Sequence, residues 1–92
     1  MNKSKLIDEM SVRMAIHPKT AESAVNTILN AMTDAMGEDR RVEIRGFGSF
    51  VIRKYKAYVG RNPKSGKKIQ VDTKSLPFFK AGKDMRERVN SK

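Results

Sequence analysis

Cysteine and tryptophan are absent from the 92-residue sequence, histidine occurs once, and aromatic residues make up only 7% of it. Without cysteine there are no disulfides, no thiol nucleophile and no zinc–thiolate site. The one histidine, His17, directly precedes Pro18 at an expected helix start, which favours a capping or solvated residue over a catalytic or metal-binding one. The apolar runs are short compared with the ~18 residues that a membrane span needs. No apolar signal-peptide stretch follows the N-terminus, so we expect the protein to stay in the cytosol.

Groupings typical of catalysis are also missing. The adjacent acids at positions 8–9 and 38–39 have no histidine or metal-ligand partner near them in the sequence, so we interpret them as solvated. Ser49 follows a glycine but lacks the flanking pattern of a nucleophile elbow. Residues 65–68 lack the upstream glycine and the final hydroxyl of a phosphate-binding loop. We therefore expect no enzyme activity, no cofactor, no bound metal and no small-molecule ligand.

Acidic residues are missing from one long segment, residues 44–71, in a chain with 20 Lys+Arg, 10 Asp+Glu and a net charge of +10. A concentrated basic field attracts polyanions and binds them by counterion release, whereas a solubilising surface usually mixes both signs. DNA and RNA both fit this charge. An anionic membrane fits less well, because the segment lacks the apolar face of an interfacial helix. The bases of the segment are Arg45, Arg53, Lys54, Lys56, Arg61, Lys64, Lys67 and Lys68.

The whole chain is short enough to be a single domain over residues 1–92. Two helices are predicted in its first part. Residues 3–14 repeat apolar side chains at helical spacing after Asn2, an expected N-cap. Residues 18–37 form a longer helix that ends at Gly37. Its methionine-rich stripe is more typical of a core than of a partner groove. The stripe comprises Ala21, Val25, Ile28, Met32 and Met36, widened by Ala24, Leu29 and Ala31.

The hydrophobic period then changes to two, which predicts antiparallel strands. The hairpin spanning about residues 53–74 is so basic that it has little to bury, and we expect it to protrude as a β-arm. The predicted class is α+β: an N-terminal helical hairpin, a three-stranded antiparallel sheet with this long arm, and a short C-terminal helix. Strands are expected at 41–45, 49–58 and 67–73, turns at 46–48 and 60–66, and the last helix at 83–90; Phe47, Phe50 and Ile52 are expected to face inward.

A second subunit is expected because roughly 70 residues remain for a core once the arm is set aside, which is few for a stable monomer. The apolar stripe of the second helix is also wide for so small a body. We therefore expect a homodimer or a heterodimer that buries this stripe between subunits. The stripe residues assigned to the dimer core are Val25, Ile28, Leu29 and Met32.

The arm tip combines Arg61 and Asn62 with Pro63. Arginine and asparagine can read the acceptor edges of a minor groove, and an apolar ring at a hairpin tip can wedge into a base step. The alternative is that Pro63 merely shapes the turn. Likewise, Tyr55 and Tyr58 either stack on unpaired bases or are ordinary sheet residues.

Three motifs make the sequence resemble the bacterial HU and integration host factor family, over essentially the whole chain. The resemblance implies an intertwined dimer whose two β-arms wrap duplex DNA in the minor groove and bend it. It further implies that Pro63 intercalates at each kink, with Arg61 and Asn62 beside it in the groove. The motifs are residues 46–50, 60–66 and 77–83.

The resemblance also implies roles outside the tip. Phe47, Phe50 and Phe79 correspond to an aromatic core at the dimer centre. Positions resembling phosphate clamps on the flanks are Lys3, Ser49, Lys83 and Arg86. The full set of expected DNA-binding residues is Lys3, Arg41, Glu43, Arg45, Gly46, Ser49, Arg53, Lys54, Lys56, Arg61, Asn62, Pro63, Lys64, Lys67, Lys68, Lys83 and Arg86.

Residues 41–45 are similar to the beta-type subunit of integration host factor more than to HU. This similarity implies that Arg41, Glu43 and Arg45 help to read a preferred site; the alternative is an alternately charged strand with cross-strand pairs. Two positions depart from the family pattern, since Tyr58 stands where the arms commonly carry arginine and Ser65 replaces the usual threonine.

The expected function is architectural: binding and bending of double-stranded DNA in the manner of integration host factor. The alternatives are HU-like compaction without sequence preference and, more remotely, an RNA-binding basic domain. The second subunit is either another copy of this chain or an alpha-type subunit. The expected location is the bacterial cytoplasm, in association with the nucleoid.

Overall fold

The computed structural model describes residues 1–91 and confirms the expected α+β architecture. A helical hairpin precedes the strands, and a short helix closes the chain. The elements are α1 (Lys3–Met14), α2 (Pro18–Gly37), β1 (Val42–Ile44), β2 (Gly48–Tyr55), β3 (Tyr58–Arg61), β4 (Lys68–Val71), β5 (Lys74–Ala81) and α3 (Lys83–Asn90).

The two long helices begin as their sequences predict. The side chain of Asn2 caps α1 by accepting a hydrogen bond from the backbone N–H of Lys5 at 2.9 Å. His17 is the N-cap of α2, and its Nδ1 accepts from the N–H of Lys19 at 3.1 Å, so the one histidine has a structural task. Pro18 then occupies the first helical turn, where its missing N–H costs nothing.

The end of α2 differs in detail from the prediction. Gly37 is the last helical residue, but the left-handed residue that stops the helix comes later, at Asp39 with φ 64°. The N–H of Arg40 then donates to the carbonyl of Ala35 at 2.9 Å. An aspartate tolerates this conformation better than most side chains, so the chain turns without a glycine there.

The sheet is a three-stranded antiparallel layer in the order β1-β2-β5, and β3 pairs with β4 beyond it. Tyr55 lies opposite Lys74, and Tyr58 lies opposite Val71, so the pairing continues outward without an inserted residue. The predicted strand 49–58 is interrupted at residues 56–57, and the predicted strand 67–73 is confined to β4. The third strand of the three-stranded sheet is β5, which the sequence did not predict as a strand. We call residues 56–73 the arm and the rest of the described chain the body. The arm contributes to an elongated shape of 58 × 33 × 28 Å.

The inner face of the sheet meets the C-terminal half of α2. Phe50 lies opposite Phe79, and their ring centroids are 4.8 Å apart; the Phe47 ring lies 5.5 Å from that of Phe79. Gly48 is buried beneath this cluster, because a Cβ there would lie 2.7 Å from the Phe79 ring and 2.5 Å from the carbonyl oxygen of Lys80. Only glycine fits at this position.

A single chain buries very little. Among residues 1–91, the only buried hydrophobic residues are Ala21 and Val25. Ile28 and Leu29 are 51% and 40% exposed on α2, and Phe47 is 44% exposed. Val25 is already buried within the single chain, so its place in the dimer core stays a prediction. The remaining members of that assignment, Met32, Phe50 and Phe79, are half-buried.

No helix within residues 1–91 is both long enough and apolar enough to cross a membrane. The same residues contain no group of three or more His, Cys, Asp or Glu side chains that could hold a metal ion.

Candidate nucleic-acid interface

The outer face of the sheet, turned away from α2, carries a mixture of cations and apolar side chains. Side chains alternate along a strand, and the inner-face residues Ile52 and Pro77 line a groove together with Met36 of α2. The intervening residues therefore point outward. The outer face consists of Ser49, Val51, Arg53 and Tyr55 from β2 and Lys74, Leu76, Phe78 and Lys80 from β5.

Two outer-face cations, Lys74 and Lys80, were missed by the sequence analysis. Lys80 lies opposite Ser49 and Lys74 lies opposite Tyr55, so both share a face with Arg53. All three cations are exposed. The signal that could have found them is the pairing register, because only the register tells which β5 side chains lie beside the predicted residues of β2.

Arg53 and Lys54 follow each other in sequence but lie on opposite faces. The guanidinium carbon of Arg53 lies 3.4 Å from the centroid of the Phe78 ring on the outer face. Lys54 points to the inner side, where its Nζ is 2.7 Å from an Asp39 carboxylate oxygen. The structure therefore does not bring these two predicted DNA-binding residues together.

An ion pair links Glu43 of the edge strand β1 to Arg41, the residue just before that strand. Arg41 and Glu43 lie 3.5 Å apart, and both side chains are largely exposed. Glu43 lies opposite Ser49, and Ser49 lies opposite Lys80, so one polar row crosses all three strands. The alternative interpretation, an alternately charged strand with cross-strand ion pairs, is not what the structure shows here: Glu43 pairs with Arg41, two positions before it in the chain.

The corner between β1 and α3 collects several predicted flank residues. Gly46 adopts φ 85° in the turn after β1, and a Cβ there would lie 3.2 Å from an Asp84 carboxylate oxygen. The N–H of Gly82 donates to the Phe47 carbonyl at 2.8 Å, which fixes the start of α3 against this turn. Lys83, the first residue of α3, is exposed and lies 3.9 Å from Glu87.

The other predicted flank cations occupy separate places. Arg86 is exposed one turn further along α3. Lys3 lies at the start of α1, beside the first turn of α2 rather than near the sheet. Lys56 occupies the interruption between β2 and β3 and is exposed.

The arm tip is a closed, hydrogen-bonded turn. The N–H of Asn62 donates to the Lys67 carbonyl at 2.8 Å, and the N–H of Gly66 donates to the Asn62 carbonyl at 2.7 Å. The Asn62 side-chain oxygen accepts from the N–H of Lys64 at 2.9 Å. Pro63 stands exposed at the start of the loop, where no N–H donor is needed. The carboxamide N–H₂ of Asn62 donates no hydrogen bond to this turn and can donate to a groove acceptor.

The cations of the arm have no acidic partner in the part of the chain that the structure describes. None of the ion pairs within residues 1–91 involves Arg61, Lys64, Lys67 or Lys68, and all four are exposed. Ser65 keeps the hydroxyl function of the threonine it replaces, because its Oγ accepts from the N–H of Lys67 at 3.3 Å. The tip therefore presents positive charge around an exposed pyrrolidine ring.

Tyr58 lies on the side of the arm that carries few charges. A Cβ at Gly60 would lie 3.4 Å from the Tyr58 ring and 3.9 Å from Val71, so the ring lies beside the glycine. Ile69 completes this apolar side opposite Gly60. Tyr58 is still 57% exposed, and its surroundings are those of a sheet residue in a cross-strand cluster.

Comparison with known proteins identifies the family to which this chain is similar. The family model described as bacterial DNA-binding protein matches residues 1–90. Integration host factor subunit beta of Burkholderia vietnamiensis and that of Burkholderia mallei are each 50% identical over 93 residues, covering 100% of this chain and 87% of the relative.

Two solved structures have the same fold. The chain of the Anabaena HU–DNA cocrystal structure superimposes with a TM-score of 0.87 at 36% identity, covering 97% of each chain. HU from Thermotoga maritima gives a TM-score of 0.69 at 29% identity, covering 97% of this chain and 98% of that one. The chain belongs to the bacterial DNA-binding protein family, the family of HU and integration host factor.

Proposed function

We propose that the protein is an architectural DNA-binding protein that grips duplex DNA in the minor groove with two β-arms and bends it by inserting Pro63. One observation carries the proposal: an exposed proline ring stands on a closed turn among cations that have no acidic partner within residues 1–91. Such a tip is attracted to phosphates and offers a flat apolar wedge to a base step. Integration host factor and HU are themselves the standard examples of this minor-groove mechanism.

Energetically, bending requires the charges and the wedge together. Unstacking costs a few kcal/mol per step in minor-groove benders of this family, and contacts to the bent duplex offset that cost. Candidates for those contacts are Arg53, Lys74 and Lys80 on the outer face and Lys83 at the corner with α3. If a dimer neutralises about eight phosphates, log K should fall against log salt with a slope of about −7.

A dimer is part of the proposal, because one chain supplies one arm. The exposed apolar residues of α2 and Phe47 support a second subunit that covers them. The relatives named as subunit beta suggest that the partner is an alpha-type chain, and a second copy of this chain is the other arrangement. We place the dimer in the nucleoid of a bacterial cytoplasm and assign it binding and bending, without a catalysed reaction.

The test of the wedge is Pro63→Ala, with bend angles measured by fluorescence energy transfer on end-labelled duplexes. The bend should decrease strongly while affinity falls less, because the cations remain. Pro77→Ala is the matched control, since it makes the same change in β5 of the body and should leave the bend unchanged. Unchanged bending by Pro63→Ala would reduce Pro63 to a residue that shapes the turn.

Sequence preference separates the integration-host-factor type from the HU type. Exposed Arg41, Glu43 and Arg45 along one sheet edge favour a reader of sites. Selection from a random duplex library at near-physiological salt, with single-stranded RNA as competitor, should enrich a motif that Arg45→Ala flattens. Strong binding without enrichment would indicate an HU-like compactor or a chain that needs its alpha-type partner. Preferential binding of the RNA would contradict the proposal.

A further inference from the structure

Arg53 is the only cation of the outer face for which the structure shows a specific side-chain contact within residues 1–91. Its guanidinium carbon lies 3.4 Å from the centroid of the Phe78 ring, a distance at which a cation and an aromatic face attract. Val51 lies opposite Phe78 and Arg53 lies opposite Leu76, so the two partners are diagonal neighbours across the β2–β5 pair. Diagonal neighbours of this length can reach each other.

This contact leaves the arginine available to a ligand. Arg53 is exposed, Phe78 is half-buried, and no ion pair within residues 1–91 involves Arg53. A guanidinium that lies on a ring uses its π-face and keeps its N–H groups free at its edge. Those N–H groups match the geometry of phosphate oxygens.

The contact also restricts the arginine before any ligand arrives. A free arginine side chain populates many rotamers, and part of that rotamer entropy is lost when the side chain fixes a phosphate. A guanidinium already held on a ring has lost some of that freedom in advance. Lys74 and Lys80 have no side-chain partner of this kind within residues 1–91 and must be ordered during binding.

The contact between Arg53 and Phe78 lies close to the junction of the body and the arm. Arg53 comes two residues before the end of β2, where the body sheet stops and the arm begins. A duplex held by both the body and the arm tip must pass this junction. A fixed cation at the junction therefore orients the phosphate backbone between the two regions.

We propose that Phe78 is a positioning residue that holds the Arg53 guanidinium on the outer face, ready to bind a DNA phosphate at the junction of body and arm. The inference rests on the proposed function, because it supposes a duplex on the outer face. It adds to that function a role for Phe78, an uncharged residue that affects DNA binding only by holding Arg53.

The experiment is a double-mutant cycle on the full-length protein, with affinity for a bent-site duplex measured over a range of salt concentrations. Phe78→Leu keeps the apolar volume and removes the aromatic face. It should weaken binding about two- to five-fold, the range expected for an exposed cation–π pair. In an Arg53→Ala background the same change should cost nothing. Arg53→Ala itself should lower the salt slope by about 0.9 for each phosphate that the variant no longer neutralises.

Two further variants separate positioning from general support of the sheet. Phe78→Tyr keeps the aromatic face and should retain most of the affinity that Phe78→Leu loses. Arg53→Lys keeps the charge but lacks the planar group, and should lose about as much affinity as Phe78→Leu. Leu76→Met is the matched control on the same face and should stay within about two-fold of the unaltered protein. Thermal melting of each variant checks that the fold is intact.

Failure of the inference and failure of the proposed function give different experimental results. An equal cost of Phe78→Leu with and without Arg53 would overturn the inference, as would a Phe78→Tyr variant as weak as Phe78→Leu. An unchanged affinity and slope in Arg53→Ala would overturn it too, while leaving salt-dependent DNA binding intact. Salt-independent binding by the unaltered protein would instead reject the proposed function, and the inference with it.

Discussion

The body and the arm belong to one continuous β-hairpin register, yet different forces stabilise them. In the body, rings of Phe47, Phe50 and Phe79 cluster over Gly48, and exposed apolar side chains of α2 await a second subunit. In the arm, every residue from 56 to 69 except Gly60 and Asn62 is exposed, and order comes from backbone hydrogen bonds and the tip turn. The body is therefore built for association and the arm for contact with a charged ligand.

This difference between body and arm indicates in which region a substitution can change DNA binding without changing folding stability. Burial of apolar area is the main favourable term of folding, and the arm buries almost none. Changes in the arm should consequently alter DNA binding with little effect on unfolding. Changes in the body should alter both, because the body supplies the fold and the dimer.

The largest effect should come from Ile28→Glu, which places a charge on the apolar face of α2. Ile28 is 51% exposed in the single chain, and burying an unpaired carboxylate at an interface is strongly unfavourable. We expect sedimentation at micromolar concentration to show loss of the dimer and circular dichroism to show partial unfolding. Val12→Glu is the control, because Val12 is 80% exposed and belongs to α1 rather than α2. A dimer that survives Ile28→Glu would place the interface elsewhere.

Next in size is Gly48→Ala, which tests the aromatic cluster of the body. The added methyl would lie 2.5 Å from the carbonyl oxygen of Lys80 and 2.7 Å from the Phe79 ring, and backbone cannot move away cheaply. Overpacking of this kind costs about 1–3 kcal/mol, which urea denaturation would measure. Gly37→Ala is the matched control: nothing lies within 4 Å of its added methyl, and alanine in a helix should be neutral or stabilising by up to about 1 kcal/mol. Equal losses from both changes would contradict the close contact at Gly48.

A smaller and purely local effect is expected from Gly66→Ala at the arm tip. Gly66 has φ 70°, a left-handed conformation that costs a non-glycine residue roughly 1–2 kcal/mol. The turn should open, and hydrogen exchange at the N–H groups of Asn62 and Gly66 should accelerate. The melting temperature should hardly change, because the arm carries little of the global stability. A large drop in melting temperature would mean that the arm and the body unfold as one unit.

Much of this architecture could be predicted from the sequence, because its signals are local. Asn2, Pro18 and the change from a period of 3.6 to a period of two predict the helices and the first two strands correctly, but they do not predict β5, the third strand of the body sheet. Glycine and proline also predict the turn before β2 and the loop at the arm tip, although Gly48 already belongs to β2 and residues 60–61 still belong to β3. A local pattern also sufficed for the tip, since all partners of Asn62 lie within five residues of it.

The remaining features depend on contacts between distant residues. The sequence could not place Lys54 beside Asp39, which is 15 positions away and reached only through the turn after α2. It could not join Arg53 to Phe78, because that pair exists only in one register of β2 against β5. It also could not tell that Val25 is buried within one chain while Ile28, one turn later, is exposed. The prediction from charge therefore placed Arg53 and Lys54 in one group, whereas strand pairing puts them on opposite faces of the sheet.

The smallest predicted effect compares two lysines that charge alone treats as equal. Lys54, at the end of the body sheet, lies 2.7 Å from Asp39, whereas Lys68 of β4 has no acidic partner within residues 1–91. Lys68→Gln should lower the slope of log K against log salt by about 0.9 for each phosphate left without its cation. Lys54→Gln should leave that slope nearly unchanged, because its charge is already neutralised locally. Its cost should be a loss of folding stability of at most about 1 kcal/mol, since the pair is exposed. Equal slope changes from the two variants would show that DNA draws Lys54 away from Asp39 and that body and arm bind the duplex as one surface.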